Sequence, residues 1–149
     1  MFNRRDVLAG GAALACLVKL VRPAHATPDE MAAAIRQATG GGALRDGRVK
    51  IDIPPLAESG NAVPLTVSVE SPMTAENHVK TVFVFSERNP NADVVRFHLG
   101  PRSGKAVVST RIRLASTQTI VAIAALSDGT FWRDQAKVLV TLGACVEGE

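Results

Sequence analysis

The sequence predicts an all-β domain, an immunoglobulin-like antiparallel β-sandwich preceded by one short helix. Two observations carry that prediction. From Val49 onward, seven or eight short segments rich in Val, Ile, Thr and Phe follow one another with turn residues between them and no helical run. Ahead of them stands one stretch in which helix start and stop signals appear in order. The length of 149 residues fits a single domain. Apolar residues at 46% and charged residues at 21% are close to globular averages, which excludes wholesale disorder and collagen-like repeats.

Residues 1–26 predict an export signal of the Tat type. Arg4 and Arg5 precede an apolar run from Val7 to Leu17 that is rich in Ala and Gly. Ala24-His25-Ala26 then supplies the small-x-small pattern cut by a signal peptidase. A twin arginine before a weakly hydrophobic run directs folded proteins to export. Lys19 and Arg22 fit that route better than the general secretory one. The run is too short to span a bilayer, and Ala13-Leu14-Ala15 before Cys16 is a poor lipoprotein signal. Cleavage is therefore expected after Ala26, leaving a domain over 27–142 and a C-terminal arm over 143–149. Localisation in the periplasm follows as an expectation.

That cut changes the charge. It removes four of the 17 basic side chains and one of the 14 acidic ones, leaving 13 of each. Nucleic-acid binding needs clustered positive charge. The nearest candidate, Arg102, Lys105, Arg111 and Arg113, reads as a solvated face. Of the two cysteines only Cys145 remains, so no disulfide within the mature chain is expected.

The helix begins at Thr27-Pro28-Asp29-Glu30, with Thr27 as N-cap, Pro28 at N1 and Glu30 closing a capping box. Gly40-Gly41-Gly42 ends it. Strands are predicted over 49–53, 63–70, 80–86, 94–100, 106–114, 117–126, 130–133 and 136–142. Leu65, Val67 and Val69 alternate with Thr66, Ser68 and Glu70, and Val108, Thr110, Ile112 and Leu114 with Ser109, Arg111 and Arg113. In the last strand Val138, Val140 and Leu142 are expected on the inner face. The segments 80–86 and 117–126 are apolar on both faces, which predicts central strands or a covered outer face.

Catalytic motifs are missing from the chain. It has no G-x-S-x-G elbow, no phosphate-binding loop and no dinucleotide fingerprint. His78 and His98 stand about twenty residues apart without a third ligand nearby, so no metal or other cofactor is expected. Cys145 stands out for its position, three residues past the last strand in Gly143-Ala144-Cys145-Val146. A lone cysteine is commonly buried and inert; one near a chain end is instead expected to be mobile and exposed.

Several stretches together resemble the SoxY family, the sulfur carriers of bacterial thiosulfate oxidation. They include Ile51-Asp52-Ile53-Pro54, Glu58-Ser59-Gly60-Asn61-Ala62-Val63-Pro64 and Val69-Glu70-Ser71-Pro72-Met73. Asn89-Pro90-Asn91, Arg96-Phe97-His98, Ser103-Gly104-Lys105-Ala106 and Thr110 to Ala115 continue the likeness, as do Thr117 to Ala122 and Ser127 to Trp132. The resemblance implies a sandwich paired with a SoxZ-like β subunit, and a carrier rather than an enzyme. It implies that Cys145 is the sulfur attachment site. A haem cytochrome would join thiosulfate to the thiol, a hydrolase would release sulfate, and a sulfane dehydrogenase would oxidise the remaining sulfur.

The arm departs from the Gly-Gly-Cys-Gly-Gly ending usual in such proteins. Gly143 and Cys145 are kept, but Ala144 and Val146 replace glycines and Glu147 to Glu149 extend the chain. Alanine and β-branched valine stiffen an arm, and nearby carboxylates raise a thiol's pKa and repel an anionic substrate. The carrier reading leads; a SoxY-like interaction module that binds its partner without carrying sulfur is the alternative.

Overall fold

A computed structural model describes residues 25–144. Two sheets face each other across one core. The chain opens with helix α1 (Pro28–Thr39), followed by β1 (Leu44–Asp46), β2 (Val49–Asp52), β3 (Leu56–Ser59), β4 (Val63–Val69) and β5 (Val79–Ser86). After them come β6 (Asp93–His98), a 3-10 turn (Pro101–Ser103), β7 (Val107–Ile112), β8 (Gln118–Leu126) and β9 (Phe131–Leu142). The larger sheet runs β1-β9-β8-β5-β6, with β3 also on β9, and the smaller runs β2-β4-β7. The predicted immunoglobulin-like sandwich is what forms.

Helix α1 starts as its sequence predicts. Thr27 Oγ1 accepts from the Glu30 N–H at 3.2 Å, and Glu30 Oε2 accepts from the Thr27 N–H at 2.9 Å. Gly40 ends the helix in the left-handed region, with φ at 63°. The helix lies on the outer face of the larger sheet. There Phe83, Phe85, Val121 and Ile123 pack against Met31, Ala34, Ile35 and Ala38. Between the sheets, Val82, Val84, Ile120, Ala122 and Ala124 meet Val63, Leu65, Val67, Val69 and Ile112. The strands β5 and β8 are apolar on both faces because one face meets the opposite sheet and the other meets α1. Each fully buried side chain of this size contributes about 1.5–3 kcal/mol.

Three features differ from the sequence prediction. The segments 130–133 and 136–142 form one strand, because the polar pair Asp134-Gln135 does not interrupt the ladder. Asp134 Oδ2 instead accepts the Ile51 N–H at 2.9 Å and bridges to β2. Two short strands, β1 and β3, were not predicted. Both pair in parallel with β9, Leu44 opposite Phe131 and Leu56 opposite Leu139, so the sheet is not antiparallel throughout. Leu142 is not an inner residue; it is 68% exposed, whereas Val138 is fully buried. Pairing of β8 with β9 stops at Gln118 opposite Val138; Val140 is still half-buried against the core, and Leu142 lies beyond it.

Candidate functional site

The end of β9 reaches the surface between β3 and the loop joining β7 to β8, where three backbone hydrogen bonds hold it and a fourth ties Gly60 to that loop. The Gly60 N–H donates to the Leu142 carbonyl at 2.8 Å, and the Leu114 N–H donates to the Gly60 carbonyl at 2.8 Å. The Ala144 N–H donates to the Leu114 carbonyl at 2.9 Å, and on the core side the Leu139 N–H donates to Pro55 at 2.9 Å. Two glycines permit this approach. A Cβ on Gly60 would collide with the Leu114 carbonyl and lie 2.9 Å from the Ala144 nitrogen, and one on Gly143 would collide with the Ala115 carbonyl. Ala144 is 9% exposed.

A buried polar hub holds the loop that receives the strand end. Asn89 Nδ2 donates to the Arg113 carbonyl at 2.7 Å, while Asn89 Oδ1 accepts from the Ala115 N–H at 3.1 Å and from Gln118 Nε2 at 2.9 Å. Gln118 Oε1 accepts from the Arg88 N–H at 3.0 Å, and Gln118 Nε2 also donates to the Ser116 carbonyl at 3.1 Å. With both side chains buried, removing either amide strands polar groups in the interior, at about 1–3 kcal/mol. The sequence reading found Asn89 only as turn punctuation and as part of a resemblance, and Gln118 only within a strand. A buried amide with partners 24 and 29 residues away leaves no local signal.

The residues singled out from sequence divide as follows. Gly143 and Ala144 sit against the β7–β8 loop, held rather than extended. Cys145 and Val146 lie outside the described residues, as do Arg4, Arg5 and Ala24. Ala26 is buried, 6% exposed, and its N–H donates to the Asn89 carbonyl at 2.8 Å. His78 and His98 have separate partners. The Nδ1 of His78 is 3.1 Å from the Thr74 carbonyl, and that of His98 is 3.3 Å from Thr81 Oγ1. Among the described residues no group of three His, Cys, Asp or Glu side chains is placed to hold a metal, and no helix is long and apolar enough to cross a membrane. Arg102, Lys105, Arg111 and Arg113 are all exposed.

These features define a class, a β-sandwich domain whose last strand ends beside a fixed loop, with Ala144 hydrogen-bonded to it. The family model described as sulfur oxidation protein SoxY matches residues 35–145, and the chain belongs to the SoxY family. Among solved structures it is similar to the sulfur carrier protein SoxY from Chlorobium limicola f thiosulfatophilum. Identity is 27% and the TM-score 0.65, over 78% of this chain and 100% of that one. It also shares its fold with the superoxide reductase (neelaredoxin) of Ignicoccus hospitalis, at 20% identity and a TM-score of 0.56, over 78% of this chain and 95% of that one. The superoxide reductase of Nanoarchaeum equitans is similar at 12% identity and a TM-score of 0.55, over 64% of this chain and 100% of that one. No curated protein sequence matches the chain.

Proposed function

We propose that the mature chain is a periplasmic sulfur carrier that holds intermediates of thiosulfate oxidation covalently on Cys145. The observation that carries this reading is where the family match ends. It runs through the whole sandwich and stops at residue 145, the only cysteine left after cleavage at Ala26. The strand end fixed at Ala144 supports it, since a carrier needs its thiol at a defined point on the surface.

In the loading step the Cys145 sulfur bonds to the outer sulfur of thiosulfate. Two electrons pass to a haem cytochrome partner and the thiol proton passes to water, leaving a Cys–S–S–SO3− adduct. A hydrolase then adds water across the S–SO3 bond, releasing sulfate and leaving a persulfide for a sulfane dehydrogenase to oxidise. The chain supplies attachment and presentation, and its partner enzymes supply catalysis. Within the assembly it pairs with a SoxZ-like β subunit. Export through the Tat route brings it folded to the periplasm.

The altered arm favours one second reading, a module that keeps the partner interface and has lost carriage. Ala144 and Val146 stand where glycines are usual, and Glu147 and Glu149 add negative charge beside a thiol that must meet an anion. Incubation with labelled thiosulfate and the cytochrome separates the two. Carriage predicts that the wild-type chain takes up label, that reductant releases it, and that Cys145→Ser takes up none. Equal labelling of both chains, or of neither, contradicts carriage on Cys145.

A further inference from the structure

We infer that the folded domain guards the bond at which its leader is removed, so that the cut after Ala26 awaits a local opening at the start of α1. Ala26 is 6% exposed, whereas His25 before it and Thr27 after it are exposed to solvent. The Ala26 N–H donates to the Asn89 carbonyl at 2.8 Å, and Arg88, Ala115 and Ser116 line the space beside it. Across the bond, the Thr27 N–H donates to Glu30 Oε2 at 2.9 Å, and the Thr27 carbonyl accepts from the Met31 N–H at 2.9 Å. Both residues flanking the bond are thus engaged, Ala26 by Asn89 and Thr27 by the first turn of α1.

A peptidase that reads a small-x-small pattern takes the Ala26 methyl into its own pocket and pairs with extended substrate backbone, as in recognition by strand addition. Neither contact forms while Ala26 is buried and its N–H is bound to Asn89. Backbone shape is not the obstacle, since Thr27 is already extended, with φ at −113° and ψ at 163°. The acceptor side of the seat is rigid, because the Asn89 side chain is itself bonded to Arg113, Ala115 and Gln118. The leader side is the weaker one, since its capping bonds lie at an exposed helix end, where local opening costs least. Opening therefore means that Ala26 lifts from Asn89 while the capping box releases Thr27. A chain exported folded must present this bond from the native state. Where opening and closing outpace cleavage, the cut proceeds at its intrinsic rate times the open fraction.

The gate presupposes the proposed export signal with its cut after Ala26, and one comparison separates failure of the two. The folded full-length precursor and a peptide of residues 1–36 are incubated with leader peptidase in detergent, and the new N-terminus is identified by mass spectrometry. Glu30→Ala removes the acceptor of the Thr27 N–H at a position outside the small-x-small pattern, and Glu30→Gln keeps an acceptor there. The gate predicts that the precursor is cut after Ala26 about tenfold or more slowly than the peptide. It predicts that Glu30→Ala speeds the cut of the precursor about fivefold, the effect of one lost capping bond, and leaves the peptide rate unchanged. Glu30→Gln is expected to stay near the wild-type rate. Hydrogen exchange at the Ala26 amide of the uncut precursor is expected to quicken in Glu30→Ala by the same factor as the cut. Equal rates for precursor and peptide, or a Glu30→Ala precursor cut no faster than wild type, overturn the gate and leave the export signal standing. A peptide that is not cut after Ala26 overturns both.

Discussion

Gly143 shows how one residue of the arm is fixed by its surroundings. The sequence marks it as the retained member of a glycine pair, and the structure gives the reason, since a Cβ there would meet the Ala115 carbonyl. The neighbouring position carries a Cβ, and Ala144 is buried there. Gly60 was legible as part of a Ser-Gly-Asn turn and of one stretch of the resemblance, yet neither showed that it sits between Leu142 and Leu114. Asn89 and Gln118 could not be found from sequence, because their partners are far away along the chain and the alternation of β8 predicts Gln118 no differently from an apolar residue. The residue-scale prediction concerns this seat. Asn89→Ala is expected to lower stability by about 1–3 kcal/mol and, like Gly143→Ala, to speed carboxypeptidase trimming beyond Ala144. Wild-type trimming in both variants, measured by mass, would show that the hub does not hold the strand end.

Among the elements, α1 and the central strands were the most legible, because their signals are local. A capping box, a glycine stop and apolar residues on both strand faces each lie within a dozen residues. The short strands β1 and β3 were not legible, since three or four residues show no period and their pairing with β9 depends on chain far downstream. The turn into β9 carries its own test. The Asp128 carboxylate accepts from the Thr130 hydroxyl at 2.6 Å and from the Thr130 N–H at 2.9 Å. These bonds, with the Thr130 hydroxyl foremost, hold its pKa below the ordinary value of 3.8. A depressed carboxylate stabilises the fold above its ordinary value and loses that contribution as pH falls through its folded value. Thr130 Oγ1 also accepts from Trp132 Nε1 at 3.0 Å, and Trp132 is the only tryptophan. Its fluorescence is expected to change as pH falls below 3.8 in the wild-type chain and to lose that step in Asp128→Asn. The same titration in both would separate the turn from the tryptophan.

Across the whole molecule, the last strand is the element that joins the larger sheet to the β7–β8 loop. Strand β9 lies between β8 and the two parallel strands β1 and β3, and its end is hydrogen-bonded to a loop held by the Asn89–Gln118 hub. The class of fold was legible from sequence. The fixed strand end was not, because it is built from residues 60, 89, 114 and 118, which come together only on folding. Sulfur carriage on Cys145 is the central claim, and intact mass spectrometry of the protein isolated from cells growing on thiosulfate tests it most directly. The expected spectrum shows sulfur and sulfonate adducts that map to Cys145 and disappear on reduction. A spectrum of free thiol alone, with the partner enzymes present and active, would contradict the account.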